Sequence, residues 1–130
     1  MHLRPMTAIY LTRGDKILLL YRIGSRVVGN SYTGAAGGHI EADEFTDPRA
    51  CVLRELQEET GLMPDALDGL QLRYITMRHK AGEIRQNYYF FARLKEDREL
   101  HSTEGNLRWV KEDEFENLPM PTSAKHMILH

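Results

Sequence analysis

Apolar and polar side chains first alternate with a period near two. "MTAIYLT" (Met6–Thr12) and "KILLLYR" (Lys16–Arg22) are β-prone runs separated by "RGD", which predicts a hairpin. A loop, "IGSRVVGNS", and a short strand over Tyr32–Ala36 follow. The period then lengthens: Val52, Leu53, Leu56 and Thr60 form one stripe at helical spacing. Asp47 can accept hydrogen bonds from the free N–H groups of the first helical turn, Pro48 tolerates that turn, and Gly61 is a natural stop. Period two returns in "LQLRYITMRH" and "IRQNYYFFARL", joined by the turn "KAGE", and in "LRWV". "DEFENL" predicts a short helix ahead of Pro119 and Pro121. Strands, one long helix, strands and a helical tail favour an α+β fold with a mixed β-sheet over a doubly wound one. Tyr88, Tyr89, Phe90 and Phe91 alternate between the two sheet faces and read as core, as does Trp109.

With no repeat, low-complexity tract or linker, residues 1–130 are expected to form a single domain, large enough to bury a core without disulfides. The 17 Lys and Arg against 19 Asp and Glu, a formal charge of -2, argue against a general nucleic-acid or anionic-membrane surface. Phosphate chemistry, if present, must be local. Cys51 is the only cysteine, which excludes a disulfide framework and a cysteine metal cluster and suits an inert core thiol in a reducing compartment. The first residues lack the apolar core of a signal peptide, and Ile17–Leu20 is too short to cross a bilayer, so a cytoplasmic location is expected.

Acidic residues alter this ordinary picture. Each helical residue turns by about 100°, so Glu55, Glu58 and Glu59 share one face, with Leu53 and Leu56 turned the other way. No lysine follows them at i+4, two further acids, Glu41 and Glu44, precede them, and so does the glycine pair Gly37 and Gly38. A solvated acidic face is the plain reading. A hard divalent cation with oxygen ligands, Mg²⁺ or Mn²⁺, would relieve the same repulsion.

Gly38, then Glu44, then "RELQEETGL" from Arg54 to Leu62 resembles the signature of the Nudix hydrolase family, in the strand–loop–helix context that signature requires. The resemblance implies an α/β/α sandwich with a central mixed sheet. It also implies Mg²⁺- or Mn²⁺-dependent hydrolysis of a nucleoside diphosphate linked to a group X, with water as nucleophile. Carried over by position, Glu55, Glu58 and Glu59 would bind metal together with the carbonyl of Gly37. Arg54 and Glu44 would pair to fix the loop against the helix and orient Glu55. Two departures stand out. "FTDPRACVL" places nine residues between Glu44 and Arg54 where the family has seven, and Ala36 replaces a proline common before the glycines. The helix register from Arg54 onward is untouched by the longer loop, while the Glu44–Arg54 contact is put in question.

MutT-type members take a further carboxylate from a loop before the last strand, and "STEGNLRWV" places Glu104 there, as general base or metal ligand; Glu83 in "KAGE" is the competitor. Arg22, Arg85 and Asn87 are candidates for phosphate or base contacts. The short chain resembles the MutT-type nucleoside triphosphate branch, with oxidised nucleotides such as 8-oxo-dGTP as the leading substrate. ADP-ribose or dinucleoside polyphosphate hydrolysis and a non-catalytic nucleotide-binding module are the alternatives. The expected partner is a small nucleotide, with no nucleic acid and no membrane, on a monomer or homodimer.

Overall fold

The computed structural model describes residues 2–25, 29–96, 98–111 and 113–114, with the backbone alone at 22–25, 29–31 and 80. Seven strands form one mixed sheet: β1 (His2–Arg13), β2 (Lys16–Ser25), β3 (Gly29–Gly34), β4 (Ala36–His39), β5 (Leu67–Lys80), β6 (Glu83–Leu94) and β7 (Asn106–Lys111). Helix α1 spans Pro48–Thr60. The main path runs β3-β2-β1-β6-β5, with β4 added to β1 and β7 to β2.

The predicted hairpin forms with a two-residue turn between Arg13 and Lys16. The segment expected as one strand over Tyr32–Ala36 is instead two strands broken at Ala35, because β3 pairs with β2 while β4 crosses to β1. Of "DEFENL", Asp113 and Glu114 lie in a 3₁₀ turn, and the remainder is outside the described residues.

The alternation along β1 sends Ile9 and Leu11 to one face and Tyr10 to the other. On the first face they meet Leu18, Phe90 and Leu94 and receive Val52 and Leu56 of α1, all buried. On the second, Tyr10 packs with Ile17, Leu19, Phe91 and Val110, its ring 5.2 Å from that of Phe91. Phe90 and Phe91 therefore serve opposite faces, and Trp109 lies half-buried against the helix-side core.

Helix α1 begins where local chemistry dictates: the Asp47 carboxylate accepts from the Ala50 N–H at 3.0 Å, with Pro48 in the first turn. It ends at Gly61, whose φ of +80° lets its N–H reach the Gln57 carbonyl at 2.9 Å. The long segment ahead of the helix is taken up by a 3₁₀ turn over Ala42–Glu44 and a hydrogen bond from the Asp47 N–H to the Glu44 carbonyl. Burial of Cys51, which no stripe of aliphatic spacing includes, places its thiol 3.3 Å from the Thr7 hydroxyl, and desolvation raises its pKa.

Candidate active site

Strand β4 sets the acids. Antiparallel pairing puts Gly37 opposite Ala8 and Gly38 opposite Thr7, directly against α1. A Cβ at Gly37 would run into the Thr7 carbonyl oxygen, and one at Gly38 would lie 2.6 Å from Glu55 Oε1. The missing side chain at Gly38 is what lets the Glu55 carboxylate approach this strand, and that at Gly37 is what lets the strand lie close to β1. The Gly37 N–H donates to Glu59 Oε2 at 3.1 Å, and Glu59 is 6% exposed, an unusual burial for an acid. Glu55 is largely covered, whereas Glu58 is mostly exposed.

The positive charge that this crowding calls for is Arg54. Its Nε and Nη2 grip Glu44 bidentately at 2.8 and 3.0 Å, its Nη1 lies 3.0 Å from Glu55 and 3.1 Å from Glu58, and Nη2 donates to the His39 carbonyl at 3.4 Å. The longer loop thus leaves the Glu44–Arg54 contact in place. Glu44 is buried and also accepts from the Glu41 N–H at 3.1 Å. The Arg54 hydrogen bond holds its carboxyl below the usual carboxylate range.

Among the described residues, one group of three acids has ligand atoms converging within 4.8 Å: Glu41, Asp43 and Glu44, on the turn before α1. Glu55, Glu58 and Glu59 do not gather that closely. Every acid here offers oxygen alone, which fits Mg²⁺ or Mn²⁺ rather than a soft metal.

Glu104 sits on a tight loop closed by the Ser102–Gly105 bridge, and the loop is tied to α1 by a 3.0 Å bond from the Thr103 N–H to the Glu59 carbonyl. Its side chain is exposed, with no ion pair among the described residues. Its rival Glu83 opens β6 and is occupied: Arg85 Nε lies at 2.9 Å and Arg4 Nη1 at 3.4 Å. Those two guanidinium groups, Arg85 foremost, hold its carboxyl below the usual range.

The glycines have a second neighbour. On the sheet face opposite α1, a cleft of about 400 Å³ runs along Gly37, Gly38 and His39 past Tyr32, Asn87 and Tyr89 to Arg78. Asn87 thus lies in it, Arg85 is turned to Glu83, and the Arg22 side chain is outside the described residues. Tyr89, read from sequence as core, lines the cleft instead, and Tyr32 and Arg78 were not read as site residues, since what gathers the three is strand pairing. Tyr32 packs on Tyr21, ring centroids 4.8 Å apart, and its hydroxyl accepts from Arg108 at 3.1 Å. A cavity of about 690 Å³ lies over Trp109 and the loop from Arg98 to Ser102. No acid of α1 lines either space, and the link between the candidate cleft and the acids is the pair Gly37 and Gly38, which line the cleft and face Glu59 and Glu55.

A mixed sheet whose strand–loop–helix corner brings glycines against helix carboxylates defines an α+β protein. The comparisons with known proteins give it a family. The NUDIX domain family model matches residues 2–130, and the chain belongs to the Nudix family. It has the α/β/α sandwich fold and is a pyrophosphohydrolase by class. The MutT NUDIX hydrolase from Burkholderia pseudomallei is similar over 99% of this chain and 98% of its own, with a TM-score of 0.78 at 20% identity. The mutator MutT protein from Bacillus halodurans has 28% identity and a TM-score of 0.74 over 98% of this chain and 80% of that one. An Ap4A hydrolase from C. elegans, solved as a binary complex, has 16% identity and a TM-score of 0.73 over 99% and 93%. No curated protein gives a significant sequence match. Among the described residues no helix is long and apolar enough to cross a membrane.

Proposed function

We propose that the chain hydrolyses a nucleoside diphosphate linked to a second group X, with a divalent cation, Mg²⁺ or Mn²⁺, held by Glu55, Glu58, Glu59 and the Gly37 carbonyl. The observation that carries this reading is the double role of Gly37 and Gly38. The same two residues face Glu55 and Glu59 on one side and line the cleft on the other. A diphosphate entering the cleft meets bare backbone at the point where the carboxylates approach, so cation and phosphate oxygens can share one small volume. When bound, the cation supplies Lewis acidity and neutralises phosphate charge. Arg54 keeps Glu55 and Glu44 in place, and Glu104, exposed and tethered to the end of α1, takes the proton of the attacking water. Tyr32, Tyr89 and Asn87 offer apolar surface and one amide to the nucleoside.

Within this class the reading is a nucleoside triphosphate, including oxidised forms such as 8-oxo-dGTP. A panel of nucleoside triphosphates, ADP-ribose and dinucleoside polyphosphates, with products identified by mass spectrometry, tests it. Cleavage within the phosphoanhydride chain that requires Mg²⁺ or Mn²⁺ supports the reading. Binding without turnover of any panel member would overturn it in favour of a nucleotide-binding module.

A further inference from the structure

Three arginines from three different strands stand in one row across the sheet. Parallel pairing of β1 with β6 puts Arg4 opposite Arg85, and antiparallel pairing of β5 with β6 puts Arg85 opposite Arg78. Directly paired residues share a face. That face is the one bearing Tyr10 and Phe91, since Arg4 lies an even number of residues from Tyr10, and Arg85 from Phe91. The next row toward the acids holds Met6 and Asn87, with His39 beside Met6, and the row after that holds Ala8 and Tyr89, with Gly37 beside Ala8. Four residues of β1 therefore separate the arginine row from the glycine that faces α1, roughly 13 Å at the rise of a strand. The interval between them is the cleft with Tyr32, Asn87 and Tyr89.

Charge in the row is not balanced. Glu83 serves both Arg4 and Arg85, at 3.4 and 2.9 Å, and Arg4 also reaches His39 Nε2 at 3.2 Å. Arg78 is exposed, lines the cleft, and has no ion-pair partner among the described residues. Three guanidinium groups facing one carboxylate leave a surplus of positive charge at the end of the cleft remote from the α1 acids. A neutral nucleoside does not need it. A planar, forked cation at that place suits phosphate oxygens.

We propose that this arginine row is a second anion subsite, which selects substrates whose nucleoside carries a further phosphate on its ribose, in addition to the diphosphate. The inference rests on the reading of the cleft as the nucleotide site. Arg78 makes the new contact, and Glu83 limits its strength by neutralising Arg4 and Arg85.

Titration calorimetry in Mg²⁺ with AMP, adenosine 2′,5′-bisphosphate and adenosine 3′,5′-bisphosphate tests the subsite without any turnover. One of the bisphosphates is expected to bind about tenfold more tightly than AMP, the lower end of what a charge-assisted hydrogen bond contributes. Arg78→Gln should bring that ratio close to one, and Glu83→Gln should widen it while leaving AMP unaffected. No gain for either bisphosphate, or a gain that survives Arg78→Gln, would overturn the subsite. Inorganic phosphate binding as tightly as the favoured bisphosphate would also overturn it, since the row would then read the free anion. If the subsite fails while ADP-ribose or a nucleoside triphosphate is still hydrolysed, the proposed function stands alone. If the ratio behaves as expected but nothing is hydrolysed, the subsite stands without the activity.

Discussion

Two groups of acids flank the same arginine, and they differ in what their charge is used for. Glu41, Asp43 and Glu44 converge most closely, yet Glu44 is taken by the bidentate grip of Arg54 and by the Glu41 N–H. Glu55 and Glu59 are farther from convergence but stand against backbone without side chains, with Glu59 held by one N–H of Gly37. Closeness of carboxylates is therefore a poor guide to a cation site. An acid gripped through both oxygens by a guanidinium, as Glu44 is, belongs to the frame, whereas Glu55 meets Arg54 through Oε1 alone and keeps Oε2 to offer. Arg54 joins the groups, tightening one and steadying the other.

Breaking the second group should have the largest effect. Glu55→Gln or Glu59→Gln is expected to lower turnover about a thousandfold with the fold retained, whereas Asp43→Asn should stay near wild-type; steady-state rates at saturating Mg²⁺ with circular dichroism of each variant check this. Equal losses in the two groups would erase the distinction.

Glu104 and Glu83 differ in the same way, the first without an ion pair among the described residues and the second held by two arginines. Glu104→Gln should lower kcat roughly a hundredfold with little change in KM, and Glu83→Gln, which removes an acid committed to Arg85 and Arg4, should leave kcat for ordinary nucleoside triphosphates nearly unchanged. Single-turnover rates decide it. A large loss at Glu83 with none at Glu104 would move the base to the β5–β6 turn.

Arg54→Ala should act on stability. It leaves Glu44 buried without its partner, at a cost of about 1–3 kcal/mol, seen as a lower urea midpoint. Arg54→Lys should recover part of this, because an ammonium cannot reproduce the two-point contact with Glu44.

The smallest effect is on pH dependence. Glu44 titrates below its ordinary range in the folded chain, so its contribution is complete above the unfolded carboxylate value and is lost as pH falls from there through the lower native value. Urea midpoints in EDTA should decline over that acidic window, and Glu44→Gln should flatten the decline. An unaltered slope in the variant would mean that other acids carry it.

Much of the frame was legible from local chemistry. Asp47, Pro48 and Gly61 bound α1 because capping is decided within a few residues, and the hairpins follow from alternation around short polar turns. The break at Ala35 was not legible: "TGAAGG" has neither alternation nor bulk, and only pairing with β1 makes Ala36–His39 a strand. Spacing placed Glu55, Glu58 and Glu59 on one face of a helix. It could not show that Glu59 would be buried or that Arg54 would be the compensating charge, since both depend on Gly37 and Glu44 arriving from elsewhere. The arginine row and the cleft were hidden for the same reason, because the β1–β6 pairing joins residues some eighty positions apart.

Whether the acids of α1 or those of the preceding turn hold the cation is decided by titrating Mn²⁺ into the nucleotide-free protein, with free ion followed by electron paramagnetic resonance. With the cation on α1, as proposed, Glu55→Gln and Glu59→Gln each weaken the site at least about tenfold and Asp43→Asn leaves it unchanged. Mn²⁺ binding that is unchanged in both α1 variants and lost in Asp43→Asn would contradict the proposal.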